Sequence, residues 1–265
     1  MSSQDTNEDG NGTPLIPSWV GSLLILVGLL AAWEGYVHFF EISRLILPAP
    51  SEVLAHWLGY LQNPLIWYHT GITAWETLLG FFFATILGVG LGILLGKMPR
   101  LERMLNPFVI ATQVVPKVAL VPLFVVWFGF GMTSKVVIAT ILAFFPILLN
   151  TVLGIKSVDT GHKEVMESLN ATRTQRLTQL DFPSSLPYIL TGMEVGVVLA
   201  IIGAVVGEYL GGNDGLGNVA VREMNSYNTT ALFAVIIHLS VLGFAFYAVV
   251  VGMRKYLIPW HGSSN

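Results

Sequence analysis

The sequence predicts an all-α, polytopic membrane protein with about six transmembrane helices, and three observations carry that expectation. Hydrophobic residues make up 54% of its 265 positions and charged residues only 11%, against ~25% charged in a typical soluble domain. Apolar stretches near the ~20 residues needed to cross a bilayer recur along the chain. Lys and Arg cluster in alternate loops. The mean hydropathy of +0.69 agrees. A net charge of −3 offers no basic excess for nucleic acid. The absence of cysteine excludes disulfides, thiolate metal sites and cysteine nucleophiles.

Taken in order, the first expected span is Gly10 to Trp33, which carries no charge. The residues before it are acidic (Asp5, Glu8, Asp9), and no Lys or Arg precedes Arg44, so a cleavable signal is not expected. Leu45 to Tyr68 is apolar but divided by Pro48, Pro50, Asn63 and Pro64. It is expected as an external loop with one short interfacial helix, where Trp57, Tyr60, Trp67 and Tyr68 suit the headgroup level. The next charge-free run is Thr77 to Gly96. Met104 to Ser134 follows, interrupted by Lys117 and by Pro107, Pro116 and Pro122, so an unbroken helix is not expected there. Val136 to Ile155, Phe182 to Gly207 with Glu194 inside it, and Met224 to Met253 complete the set.

Alternating six spans places Lys97, Arg100, Arg103, Lys156, Lys163, Arg173, Arg176, Arg254 and Lys255 on one side, with only Arg44, Lys135 and Arg222 opposite. The positive-inside rule makes the first side, and both termini, cytoplasmic. The expected organisation is a disordered cytoplasmic tail over 1–16, a membrane domain over 17–258 and a cytoplasmic tail over 259–265. Glycines recur every fourth residue at Gly88, Gly92 and Gly96 and at Gly203, Gly207 and Gly211, with Gly192 and Gly196 just before. Such stripes let helix backbones approach closely in lipid. Gly88-Val-Gly-Leu-Gly92 is not a nucleotide loop, because it sits inside a span and opens no helix.

One polar loop, within 156–186, carries too much local order to be a linker. Asp159 can cap a short helix with apolar positions Val165, Met166 and Leu169, and Asn170 tolerates the left-handed conformation that ends helices. Thr172 to Gln175 fits a capping box for a second helix carrying Leu177 and Leu180. Pro183 is expected to stop that helix and Pro187 to open the next span. Two uses fit such a pair: an amphipathic element on the lipid surface, or a docking element for a cytoplasmic partner.

Glu164-Val-Met-Glu-Ser-Leu-Asn-Ala171 followed by Leu180-Asp-Phe-Pro-Ser-Ser-Leu-Pro187 resembles the EAA loop of permease subunits in bacterial ABC importers. Glu164 is kept, Val165 and Met166 stand where that family has alanines, and Asn170 stands where it has glycine. Thr112 to Gly131, Leu47-Pro-Ala-Pro-Ser51 and Gly215-Leu-Gly217 resemble the nitrate/sulfonate/taurine group, and the likeness runs from Leu47 to Tyr256. The resemblance implies a type I importer permease in a bacterial inner membrane, working with a dimer of cytoplasmic ABC ATPases, a second permease copy and an external solute-binding protein. ATP and Mg would belong to the ATPases, with no cofactor on this chain. It also implies a coupling role for Glu164, Val165, Met166, Ser168, Leu169, Asn170, Ala171, Arg173, Pro183 and Pro187.

Candidates for the translocation path are Gln113, Pro116, Lys117, Trp127, Glu194 and Glu208. Lys117 either snorkels along its helix or faces the pore. Glu194 could pair with Lys97 or the coupling loop, and Glu208, beside Tyr209, could reach headgroup water. The histidines show no metal-ligand spacing; His238 is expected as a hydrogen-bonded span residue. A secondary transporter would need paired broken helices in two related halves, and an intramembrane enzyme a nucleophile–base or metal constellation; neither pattern occurs. The resembled group handles nitrate, sulfonates, taurine and bicarbonate, and its relatives carry thiamine-precursor pyrimidines and riboflavin-like compounds. A small organic solute or oxyanion is therefore the expected substrate, with a neutral or aromatic compound as the alternative.

Overall fold

A computed structural model describes residues 18–258; the expected tails at 1–16 and 259–265 lie outside the described residues. These residues form α1 (Ser18–Phe39), α2 (Pro50–Tyr60), α3 (Pro64–Lys97), α4 (Pro99–Val114), α5 (Val121–Phe128), α6 (Met132–Lys156), α7 (Thr160–Ser168), α8 (Arg173–Arg176), α9 (Phe182–Gly211), α10 (Leu216–Asn225) and α11 (Thr229–Leu257), with no strand among them. Five helical stretches are long and apolar enough to cross a membrane, and a bent pair supplies a sixth crossing if counted as one span.

Several boundaries differ from expectation for identifiable reasons. The first span runs on through Glu34 to Phe39 because that carboxylate has a partner. It accepts Ser51 N–H (2.9 Å) and Ser51 Oγ–H (2.7 Å), satisfying an amide at the start of α2. Pro64 opens α3 rather than dividing a loop, since Asn63 caps the helix by accepting Leu65 N–H at 3.0 Å. At 34 residues, α3 is about 51 Å long, well beyond a ~30 Å hydrocarbon core. Met224 belongs to the external helix α10, and the last span starts at Thr229.

The centre of the molecule is a sheaf of α3, α6 and α9, with α6 packed most extensively against the other two. Small residues make this possible. A Cβ added at Gly92 would lie 2.5 Å from Thr151 Cβ, and one at Gly203 would lie 2.6 Å from Ala139 Cα. The first expected stripe therefore faces α6, as do Gly203 and Gly207 of the second, while Gly211 faces Val125 of α5. Ala84, Ala139, Ala143, Ile147 and Ala200 fill the seam. A second cluster of Ile66, Leu216, Val219, Ala220 and Val235 seats α10 and α11 against the start of α3.

The segment with three prolines is broken. Val115 is extended (φ −66°, ψ 123°), as a residue before proline prefers, and Pro116 then opens a single 3₁₀ turn over Lys117–Leu120. The two halves meet at 81°. Gly129, at φ +81°, ends α5. Nothing in α4 is buried, and α4–α5 leaves Phe108, Val114, Val126 and Trp127 exposed.

Candidate functional site

The polar loop between α6 and α9 folds locally much as its sequence dictates. Asp159 accepts Gly161 N–H (2.6 Å) and His162 N–H (3.4 Å), capping α7. Asn170 stands at φ +55°. Around it, Ala171 N–H donates to Met166 C=O and Asn170 N–H to Glu167 C=O, each at 2.9 Å, a Schellman closure. Thr172 and Gln175 then complete a capping box. Arg176 Nη1 reaches Glu167 Oε1 at 3.0 Å and ties the two short helices together. Glu164, Val165, Ser168 and Leu169 are exposed on α7, with Met166 half-buried.

Pro183 does not stop the second helix. The chain widens into one π turn at Leu177–Asp181, and Pro183 falls in the first turn of α9, so α8 and α9 form one continuous rod from Arg173 to Gly211. Pro187 likewise lies inside α9 instead of opening it. Leu177 and Leu180 belong to the π turn. The loop is thereby built onto the central sheaf. Lys97 Nζ reaches Asp181 Oδ2 at 2.9 Å, joining the end of α3 to this rod, and Lys156 Nζ reaches Glu102 Oε1 at 2.9 Å, joining α6 to α4.

The candidate path residues do not form one cluster. Gln113 and Pro116 sit at the bend, both exposed, and Trp127 is 63% exposed on α5. Lys117 Nζ lies over the Phe145 ring, 4.8 Å from its centroid, a cation–π contact instead of a snorkel. Glu194 pairs neither with Lys97 nor with the coupling loop. Its carboxylate takes Arg254 Nη1 at 3.2 and 3.4 Å, bridging α9 and α11. Glu208 does not reach headgroup water: it is fully buried, accepting Thr73 Oγ1–H at 2.6 Å and Gly217 N–H.

Glu208 belongs to a sealed polar cluster that the sequence did not expose. Glu76, 1% exposed, pairs with Lys135 Nζ at 2.9 Å, and Lys135 also donates to Asp214 C=O at 3.3 Å. Lys135 is thus internal, not a residue of an external loop. Three successive amides at the start of α10, from its N-cap Gly215, are held by side chains. Gly215 N–H donates to His69 Nδ1 (3.0 Å), Leu216 N–H to Thr73 Oγ1 (2.8 Å) and Gly217 N–H to Glu208. The available signal was weak: Glu76 and Lys135 each adjoin a charge-free run, and a charge at such an edge reads as a loop residue. His238 meets expectation, buried with Nε2 2.9 Å from Thr70 Oγ1.

A multi-pass helical sheaf carrying a short capped helix pair between two of its spans is the form of a membrane-embedded importer subunit. The family described as "Binding-protein-dependent transport system inner membrane component" matches residues 88–260, and the chain belongs to that family. It is an ABC importer permease, a multi-pass membrane protein and a transport subunit. The formylaminopyrimidine transport permease ThiX of Halalkalibacterium halodurans is 37% identical over 89% of this chain and 94% of its own length. The riboflavin transport system permease RibX of Chloroflexus aurantiacus is 34% identical over 92% and 91%. Among solved structures, a chain of the inward-facing MetNI methionine ABC transporter matches with a TM-score of 0.64 at 20% identity, covering 74% of this chain and 98% of that one. Membership also sets aside the secondary-transporter alternative; the described residues hold one bent pair, not two.

Proposed function

We propose that this chain is one of two permease copies that together enclose a translocation path. A dimer of cytoplasmic ABC ATPases docks on α7 and its turn, and an external binding protein delivers the solute. ATP and Mg reside on the ATPases, and this chain contributes no ATPase motif and no cofactor. Both termini face the cytoplasm, and residues 17–258 form the permease domain. The observation that carries the coupling role is the α7–α8 corner, whose angle is held by Asn170, the capping box and the Arg176–Glu167 pair. Because α8 continues into α9, a displacement of α7 would move a rod packed on α6 and α3. Glu164, Val165 and Leu169 provide the exposed docking face, with Met166, Ser168, Ala171 and Arg173 around it. Pro183 and Pro187 act in the rod behind that face.

Charge reversal at Glu164→Lys places the wrong sign on the docking face, and like-charge contacts at an interface cost several kcal/mol. Asn170→Val puts a β-branched residue at φ +55°, where a left-handed conformation costs roughly 1–2 kcal/mol. Both variants should insert in the membrane yet recover far less ATPase on co-purification and transport at a small fraction of the wild-type rate. Wild-type recovery and uptake in both would refute the coupling assignment.

For the substrate, we propose a small heteroaromatic solute of pyrimidine or flavin type. Two similar proteins are named for such compounds. Lys117, the cation at the bend of the broken span, is already engaged by the Phe145 ring, which makes a poor anion selector. Gln113 and Pro116 are exposed at the bend, and the ring pair Phe124 and Trp127 follows on α5, so the segment offers amide and aromatic surface and little charge. Lys117→Gln should leave uptake of a formylaminopyrimidine or flavin within about twofold of wild type, a change of roughly 0.4 kcal/mol. If the cognate solute is an oxyanion and Lys117→Gln abolishes its uptake, this substrate class is wrong.

A further inference from the structure

A cavity of about 630 Å³ opens at the cytoplasmic ends of the spans, between the turn after α3, the end of α6 and the α7–α8 corner. Its charged lining is lopsided: Lys97, Lys163, Arg173 and Arg176 face one acid, Asp181. Two of the cations are already engaged, Lys97 with Asp181 at 2.9 Å and Arg176 with Glu167 at 3.0 Å. Lys163 and Arg173 have no side-chain partner among the described residues. The Thr174 hydroxyl adds a neutral donor at the same wall, while Met98, Ile155 and Leu177 make the rest apolar.

The volume falls in the range of small-molecule sites, ~300–1,000 Å³. Lys and Arg side chains converging on one space match the oxygens of a phosphate, with the guanidinium able to bind two of them at once. Basic pockets between the cytoplasmic ends of transmembrane helices are suited to phospholipid headgroups, because the surface there is already negative. Here the cavity floor is the last turn of α3 and of α6, where both spans end.

We propose that this cavity is a phosphate-binding site, filled by the headgroup of an anionic phospholipid or by a soluble phosphate ester. Its anchors are Lys163 and Arg173, with Arg176, Lys97 and Thr174 closing around the oxygens. Because Lys163 belongs to α7 and Lys97 to α3, a phosphate there links the docking helix to the sheaf and stiffens the corner between them.

The test is thermal unfolding of the full-length chain in detergent, with added dioleoylphosphatidylglycerol, dioleoylphosphatidylcholine or glycerol 3-phosphate. At about ten times its dissociation constant, phosphatidylglycerol should raise the melting temperature by roughly 3–5 °C, and the zwitterionic lipid should not. Lys163→Gln/Arg173→Gln should abolish that rise. Its unliganded melting temperature should stay at the wild-type value, since neither side chain has a partner to lose. The charge-keeping pair Lys163→Arg/Arg173→Lys should retain most of the rise. An equal rise with glycerol 3-phosphate, lost in the Gln variant, supports the site and makes the source soluble. A full rise in the Gln variant, or no difference between the two lipids and no rise with glycerol 3-phosphate, overturns it. Absence of any rise in the wild-type chain with phosphatidylglycerol and with glycerol 3-phosphate also overturns it.

Discussion

The α3–α6–α9 sheaf and the α4–α5 segment are both apolar, yet they solve opposite problems. In the sheaf, glycine and alanine bring backbones together, and no large side chain separates Gly203 from Ala139. In α4–α5, prolines bend the chain by 81°, and large side chains such as Val114 and Val126, each 78% exposed, remain uncovered within the chain. Lipid can cover a smooth apolar helix, but a broken backbone at membrane depth requires protein or a watery cavity beside it. The difference teaches that one chain completes the sheaf, whereas α4–α5 is completed by something else.

The sheaf should break most severely at its buried charges. Lys135→Met leaves the Glu76 carboxylate, 1% exposed, without its ammonium partner. Removing one member of a buried pair costs about 3–5 kcal/mol. The loss should be visible as a large drop in the unfolding midpoint in detergent, and Glu76→Gln in the same chain should restore a substantial part. An unchanged midpoint for Lys135→Met would mean the pair contributes nothing to the sheaf.

Close packing should matter next. Gly203→Leu forces a side chain into the backbone of Ala139, at about 1–3 kcal/mol for overpacking. Gly28, on α1, has no heavy atom within 4 Å of an added Cβ. Gly28→Ala should therefore be neutral or stabilise by up to ~1 kcal/mol. Unfolding midpoints of the two variants, measured side by side, sharpen the contrast between a helix inside the sheaf and one outside it. Equal midpoints would erase it.

Much of the fold was legible because each signal was local. Glycine spacing marked contact faces of the sheaf, three prolines gave the broken span, and Asp159, Asn170 and Thr172–Gln175 gave the caps and turn of the α7–α8 corner. What escaped was long-range. Glu76 and Lys135 are 59 positions apart, and only the packing of α3 on α6 reveals that they share a depth. Glu194 and Arg254 were hidden in the same way. Pro183 misled because proline stops an α-helix that lacks room for its ring, but a π turn supplies that room.

If the chain works as one of two permease copies, as proposed above, the uncovered α4–α5 face is where the second copy should meet it. The sequence contains no cysteine, so a single introduced one has no partner within the chain, and covalent dimer of twice its mass reports a bridge between copies. Single cysteines at Thr112, Val114, Val118, Val126 and Trp127 would be oxidised in native membranes and scored as covalent dimer on non-reducing gels. Bridging requires Cα atoms within about 7 Å, so the positions nearest the two-fold axis report. Dimer at one or more of these positions, and none with cysteine at Ile25 on α1 or Ser240 on α11, is the expected result. No dimer anywhere on α4–α5, with efficient bridging at Ile25 or Ser240, would contradict the account.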